Sequence, residues 1–420
     1  MIAAAFIHRL ACVAVAAWLA MLPAQAQPEP APFRRGVAIA HSMAWAQVEP
    51  PPSKAFVFPP FAEPNYRLTT AELQAVRRAG FDFVRLAVDP GPFLQFQGAR
   101  RDRLDRILLD QVRMILSSGL AVIVDFHPSD MHPQYTGAAL TKGAATPALR
   151  DYLRLLERTA ALLDGLKSPR VAFELMNEPP ISPQAWQPML EAAYHAARRH
   201  APHLLLVLPG ASEGMVEGLL GLRAAPFRSD PAVLYTFHYY EPFQFTHQAA
   251  SWNAARHLAD VPYPANARPL QDSQDATAAV IAASNLSQTQ KVIAGIDARR
   301  LLESYRRSGF DRAAIAKSLD RIVAWAQSNG VPPNRIFLGE FGVLKSVGLL
   351  HAARAAERRQ WFADVRAEAE ARGFIWAAWV YRGPGGFALT EDDRDIDVDP
   401  GIIAALGLKP RTRQSTAPIE

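Results

Sequence analysis

Eight short apolar runs, most of them separated by amphipathic helical stretches, limit what this chain can fold into more than any other feature. They span residues 36–41, 81–88, 120–126, 171–176, 204–208, 233–238, 336–340 and 374–380. Runs of this length that are apolar on both faces read as strands of a buried parallel sheet rather than a half-solvated antiparallel one. Helical patterns fill the gaps at 70–79, 104–116, 147–163, 185–200, 311–327 and 353–371, with a closing helix at 400–406. Thr69 or Thr70 serves as an N-cap for the first, and Gly80 stops it. Alternation of this kind builds βα units, and eight of them predict an α/β fold that closes on itself: one (β/α)8 TIM barrel. The alternation breaks between strands 6 and 7, where a long insertion runs from Tyr239 to Asp311. Its first part, 240–266, is rich in aromatics, histidine and proline, and its later part is helical over 275–284 and 296–305. An insertion of that size in a compact barrel is expected to wall one side of a cleft.

The ends of the chain lie outside this rhythm. His8 and Arg9 precede an apolar run over 10–22, and Ala24-Gln25-Ala26 supplies the small residues a signal peptidase reads, so residues 1–26 are expected to be a secretory signal. A proline-rich leader, 27–34, follows; the barrel domain is placed at 35–408 and a short tail at 409–420. No run approaches the roughly 20 apolar residues of a membrane span. The only cysteine, Cys12, falls inside the signal, so the mature chain has no thiol for a disulfide or a metal. A formal charge of +5 comes from scattered arginines without a basic cluster, which argues against nucleic acid as a partner. An exported protein, periplasmic or extracellular and monomeric, is the expectation.

In a parallel barrel the carboxyl ends of all strands meet at one rim, so residues distant in sequence converge there. Arg85, His127, Asn177, Glu178, His238, Tyr240, Glu340 and Trp379 all fall at or just past strand ends. The run 171–176 ends in Asn177-Glu178-Pro179, and the run 336–340 ends in Glu340, so two strands each deliver a carboxylate. Cleaving a glycosidic bond needs such a pair, one to protonate the leaving oxygen and one to attack or to activate water. Trp376 and Trp379 face opposite sides of one strand, so one is core and Trp379, nearer the carboxyl end, is favoured for the site. Arg85 has a plainer use as well, neutralising Glu174 deeper in the barrel.

Together, Val-Arg85-Leu, Asp125-Phe-His127, Asn177-Glu178-Pro179, His238-Tyr-Tyr240, Glu340 and the late tryptophan resemble glycoside hydrolase family 5, the retaining cellulase family of clan A. The resemblance runs from about Gly36 to Leu406. It implies that Glu178 is the general acid/base and Glu340 the nucleophile of a double displacement. It also implies substrate-binding roles for the others. Asn177 would reach the sugar 2-hydroxyl, His127 and His238 would hold the sugar and the carboxylates, Arg85 and Tyr240 would favour charge on the nucleophile, and Trp379 would floor the central sugar. The substrate implied is a β-linked oligo- or polysaccharide, foremost a β-1,4-glucan cut internally, and no cofactor or metal is called for. Mannan, β-1,3-glucan and transglycosylation on an envelope glycan stay open, because specificity is expected in the loops 50–64 and 241–300. A non-catalytic glycan-binding barrel would lack one of the two carboxylates.

Weaker signals complete the reading. Asp125, His127 and His132 lack the further ligands of a metallohydrolase. The acidic stretch 391–399 lacks the glycine and final glutamate of a calcium loop and reads as a solvated loop. Met43, Trp45, His132, Tyr135, Trp186, Phe243, Phe245, Trp252 and Tyr381 are candidates for outer sugar subsites or for plain packing.

Overall fold

A computed structural model describes residues 32–62, 67–345, 352–383, 385–392 and 395–411. The expected signal lies outside these residues, as do most of the leader and the tail beyond residue 411. Eight strands close in sequence order into one barrel: β1 Arg35–Met43, β2 Phe83–Val88, β3 Ala121–Phe126, β4 Val171–Glu174, β5 Leu205–Pro209, β6 Val233–Tyr239, β7 Ile336–Phe341 and β8 Ile375–Ala378. Every neighbouring pair is parallel, and β1 closes against β8 through Arg35–Trp376, Gly36–Ala377 and Val37–Ala378. Closure leaves no sheet edge, so every ladder is satisfied within the fold.

Residues alternate between the barrel interior and the helical layer. The outward set, including Val84, Leu86, Val88, Val122, Val124 and Phe126, joins the core shared with the helices. The inward set is stratified. Near the amino-terminal end Phe83, Ile123, Ala172, Val207, Leu234, Phe337 and Ile375 form a separate apolar cluster. Phe33 plugs that end, its ring 5.5 Å from Phe83, which in turn meets Phe337 edge-on at 5.9 Å. Two residues further along the same faces the interior turns polar with Arg85, Asp125, Glu174 and Thr236, all buried. Another step brings His127, His238 and Trp379 to the rim.

The helices follow their caps. Thr69 and Glu72 form a reciprocal capping box for Thr70–Ala79, which ends at left-handed Gly80. The helix expected from 104 begins earlier, as Gly98–Ser117. Its first turns are polar and invisible to apolar periodicity, and they are fixed by Arg101, which bonds Asp105 and the carbonyl of Phe93. In the insertion, Leu270–Ala283 and Gln288–Ser308 pack as a helical pair, each starting before the expected position. Arg312–Asn329 then leads back to β7. The barrel's packing reaches past the expected limits 35 and 408: Phe33 is part of the interior, and Arg411 donates to the Arg78 carbonyl and pairs with Asp82. No described helix is long and apolar enough to cross a membrane.

Because Phe337 bridges two faces of the amino-terminal interior cluster, Phe337→Ala leaves a cavity that eight strands cannot close. The expected loss is about 3–5 kcal/mol, read as a lowered denaturation midpoint with an unchanged slope against denaturant.

Candidate active site

Arg85 projects from β2 into the polar layer, fully buried. Its Nε and Nη2 donate to both oxygens of Glu174 on β4, at 2.8 and 2.9 Å. Nη2 also donates to Asn177 Oδ1 at 2.8 Å and lies 3.1 Å from Asp125 Oδ2 on β3. Nη1 donates to Glu340 Oε1 on β7 at 2.5 Å. Neutralising Glu174 and serving the rim, two readings the sequence left as alternatives, are both in place. Coulomb attraction to Asp125, Glu174 and Glu340 outweighs burial and holds the guanidinium well above its ordinary pKa.

From this cation the rim assembles outward. Asn177 passes its other end to His127, with Nδ2 3.3 Å from Nε2, and His127 Nδ1 lies 2.9 Å from Asp125 Oδ2. Burial lowers the His127 pKa, so the ring is neutral, its Nδ1–H directed to Asp125 and its Nε2 accepting from Asn177. Trp379 lies parallel to that imidazole at 5.5 Å, tilted by 7°. Trp376, three residues back, is fully buried against Phe81 and Phe341, as strand parity requires.

The two glutamates sit in contrasting surroundings. Glu340 is buried, accepting from Arg85 on one oxygen and from the Tyr240 hydroxyl on the other at 2.7 Å. Burial first, then the Glu340 charge, raises the Tyr240 pKa far up, so the phenol is a donor throughout the ordinary range. Glu178 has φ +44, a left-handed conformation uncommon outside glycine, just past β4. Its side chain is 35% exposed to the cleft and meets His238 Nδ1 at 2.8 Å. Desolvation between the cleft walls is the main reason its carboxyl is pushed up to about 7; Glu213 and Glu174 add to the rise, while His127 and Arg85 oppose it. Burial brings His238 down to about 4, so the shared proton belongs to Glu178 and not to the imidazole. An oxygen of Glu178, an oxygen of Glu340 and a nitrogen of His238 lie within 4.8 Å of one another. These three are also the cluster among the described residues with the spacing of metal ligands, but their bonds to Arg85, Tyr240 and each other account for the geometry without an ion.

A cleft of about 590 Å³ opens over the pair. One arm is lined from β1 and β8 by Ala40, His41, Trp45, Val380 and Arg382; the other, from the β5 and β6 loops, by Glu213, Met215, Phe243, His247 and Trp252. A half-buried proton donor and a buried carboxylate bonded to a cation, facing one groove, form a constellation for acid-assisted displacement at a sugar carbon. A family model, Cellulase (glycosyl hydrolase family 5), matches residues 51–383. The chain belongs to glycosyl hydrolase family 5. Family relatives include Endoglucanase 3 of Fibrobacter succinogenes, 24% identical over 368 residues, covering 82% of this chain and 50% of that protein. Cellodextrinase A of Ruminococcus flavefaciens is 25% identical over 195 residues, 43% of this chain and 54% of its own. The chain thus spans about half the length of these relatives. Among solved structures, cellulose synthase subunit Z of Clostridioides difficile superposes with TM-score 0.62 at 21% identity, covering 89% of this chain and 99% of that one. An endoglucanase of Thermotoga maritima gives 0.62 at 20%, covering 89% and 97%.

All eight residues singled out in the sequence come together in this family 5 barrel. The outer candidates divide. Trp45, Phe243 and Trp252 line the cleft, with Trp252 62% exposed. Met43, Trp186, Phe245 and Tyr381 are buried in packing, and His132 and Tyr135 stack on Phe56 away from the cleft. The loop 50–64, as far as residue 62, contributes nothing to the cleft lining, and only the first part of the insertion does. In the acidic stretch Asp397 pairs with Arg78, and Asp399 caps the last helix and pairs with Arg359; Asp393 lies outside the described residues. Glu213, Met215, His247 and Arg382 are cleft residues that sequence reasoning passed over. Their one sequence signal is position just beyond a strand end.

Removing the shared cation tests the hub. Arg85→Met leaves Asp125, Glu174 and Glu340 crowded without a counter-charge, and a loss of about 3–5 kcal/mol is expected. Glu174 already has a raised pKa, chiefly from burial, and Asp125 is pushed up to about 7. The deficit should therefore be greatest above pH 7 and narrow as falling pH protonates these groups, measured by denaturant unfolding across pH.

Proposed function

We propose that this chain is an exported retaining β-glycanase, foremost an endo-β-1,4-glucanase, that works by double displacement. The observation that carries the reading is the separation of the two glutamates: oxygens of Glu178 and Glu340 lie within 4.8 Å. Retaining enzymes hold their carboxyl groups about 5–5.5 Å apart, whereas inverting ones leave about 6.5–9.5 Å for a water. Glu340 attacks the anomeric carbon while Glu178 gives its proton to the leaving oxygen. Arg85 and Tyr240 hold the attacking oxygens in place, and the bond from Arg85 weakens as negative charge passes from Glu340 into the new ester. Water then enters on the side the leaving sugar vacated, Glu178 takes its proton, and the product departs with its configuration retained. Asn177 offers its remaining N–H to the sugar 2-hydroxyl. Trp379, stacked beside His127, floors the sugar whose bond is cut.

Cleft lining contributed from both the β1 and β8 side and the β5 and β6 loops supports internal cleavage. The small residues Ala24-Gln25-Ala26 after the apolar run 10–22 support a signal over 1–26 and, with it, a periplasmic or extracellular enzyme. The substrate panel follows from the neighbours. The Thermotoga maritima endoglucanase is known in complexes with cellobiose and with mannotriose, and another neighbour is a family 5 xyloglucanase of Paenibacillus pabuli. The Clostridioides difficile neighbour is a cellulose synthase subunit, which favours a second reading, action on an envelope glycan with hydrolysis or transglycosylation.

The test is release of reducing ends from soluble β-1,4-glucan, mixed-linkage glucan, β-1,3-glucan, mannan and xyloglucan. Activity is expected on β-1,4-glucan and none from Glu340→Ala, with Glu178→Ala down by about 10²–10⁴. A folded protein silent on all five would refute the glucanase assignment. The pH profile carries its own sign. Glu178 works protonated, so kcat/KM should hold on the acid side of its raised pKa and fall as pH rises through about 7. An alkaline limb that survives Glu178→Gln on an activated aryl glycoside would assign the titration to another group.

A further inference from the structure

The β5 loop carries a carboxylate that no step above uses. Ser212, Glu213 and Gly214 are all left-handed, with φ of +51, +58 and +71. Such a succession is stable only where its surroundings fix it, and here they do. Ser212 N–H donates to the Ile181 carbonyl and Glu213 N–H to the Pro179 carbonyl, tying the loop to the segment that follows Glu178. The Gly214 carbonyl accepts from His238 N–H at 2.7 Å. A Cβ on Gly214 would stand 3.1 Å from His238 Nδ1 and 3.3 Å from Glu178 Cγ, so the loop packs directly on the acid/base pair. Glu213 is exposed in the cleft wall, and no cation pairs with it among the described residues.

Which half of the cleft this is follows from the floor. Trp379 and His127 lie toward β8 and β3, so the sugar attacked by Glu340 sits on that side. Glu178 bonds His238 of β6 and has the β5 loop packed against it, so the leaving oxygen that it protonates lies toward β5 and β6. The β5 and β6 loops therefore line the leaving-group half. We propose that Glu213 is a specificity-determining residue there: its carboxylate accepts hydrogen bonds from hydroxyls of the departing, uncharged glycosyl unit. The proposal rests on the hydrolase reading above. The same charge, close to Glu178, helps keep the acid protonated.

Two probes separate the contributions, cellotetraose and 2,4-dinitrophenyl β-cellobioside, whose leaving group has neither hydroxyls to bind nor need of a proton. Glu213→Ala should lower kcat/KM for cellotetraose about tenfold, the scale of one charge-assisted hydrogen bond open to water, and leave the aryl glycoside within about twofold, since that substrate makes no such bond. Glu213→Gln should shift the alkaline limb on cellotetraose to lower pH, because removing a like charge eases ionisation of Glu178; a purely structural role would not move it. Equal losses on both probes, no loss on either, or an unmoved limb would overturn the assignment of Glu213 alone. A wild type inactive on the aryl glycoside, or a Glu340→Ala variant as active as wild type, would overturn the hydrolase reading and this proposal with it.

Discussion

A single buried guanidinium holds the functional end of this barrel together. Arg85 reaches strands β3, β4 and β7 at once, and each contact has a counterpart that would be costly to leave alone in an apolar interior. Around it stand three carboxylates, from Asp125, Glu174 and Glu340, so that with Arg85 the cluster would carry a net charge of −2 if all were ionised. The upward shifts of Asp125 and Glu174 follow chiefly from burial, with the Glu178 charge adding to the first and the Asp125 charge to the second, while Arg85 opposes both. Protonation inside the barrel, rather than further cations, brings the cluster toward neutrality. This is why the polar layer can replace the branched aliphatic residues that normally fill a barrel interior, while the apolar cluster around Phe83 and Phe337 below it keeps the strands packed.

The different fates of Glu178 and Glu340 have the same origin. Glu340 stays in the layer that Arg85 reaches and has donors on both oxygens. Glu178 emerges one step higher on a left-handed residue, beyond the guanidinium and against an imidazole that burial keeps neutral. Without a direct cation contact, desolvation dominates and the carboxyl holds its proton. Two identical side chains thus meet different partners from their height in the barrel, one a guanidinium and a phenol, the other an imidazole.

Much of this was legible in the sequence because it follows from short-range rules. Eight apolar runs and their alternation with helices pointed to the closed parallel topology, and strand parity put Trp376 and Trp379 on opposite faces, with nearness to the carboxyl end favouring Trp379 for the site. Seven of the eight site residues could be named because each lies near or just past a strand end, where a barrel converges whatever its loops do, whereas Arg85 stood out as a cation inside the apolar run of β2. What stayed hidden depends on tertiary placement. The polar start of the helix at Gly98 is set by Arg101 finding Asp105 and a distant carbonyl, and nothing in its spacing reveals that. Met43, Phe245 and Tyr381 look like sugar platforms by type, and only packing shows them buried. Glu213 follows a proline-glycine turn after β5 that reads as an ordinary loop; its approach to Glu178 is fixed by hydrogen bonds to Pro179 and Ile181, residues of a different strand's loop.

The construction also divides labour between scaffold and loops. Residues around the two glutamates come from strands and strand ends that Arg85 ties together, where a shift of Arg85 would disturb Asp125, Glu174, Asn177 and Glu340. Residues lining the outer arms, such as Trp45, Phe243 and Trp252, hang from loops whose changes need not reach the hub. Glu213 stands between these classes, on a loop yet tied by its N–H to the Pro179 carbonyl and, through the next residue, to His238. On the proposed reading, a substitution there acts on both recognition and proton transfer, while a change at Trp252, 62% exposed in the cleft wall, is confined to recognition. Coupling to the hub, more than distance from the bond being cut, decides which positions in this cleft can vary the substrate without altering the chemistry.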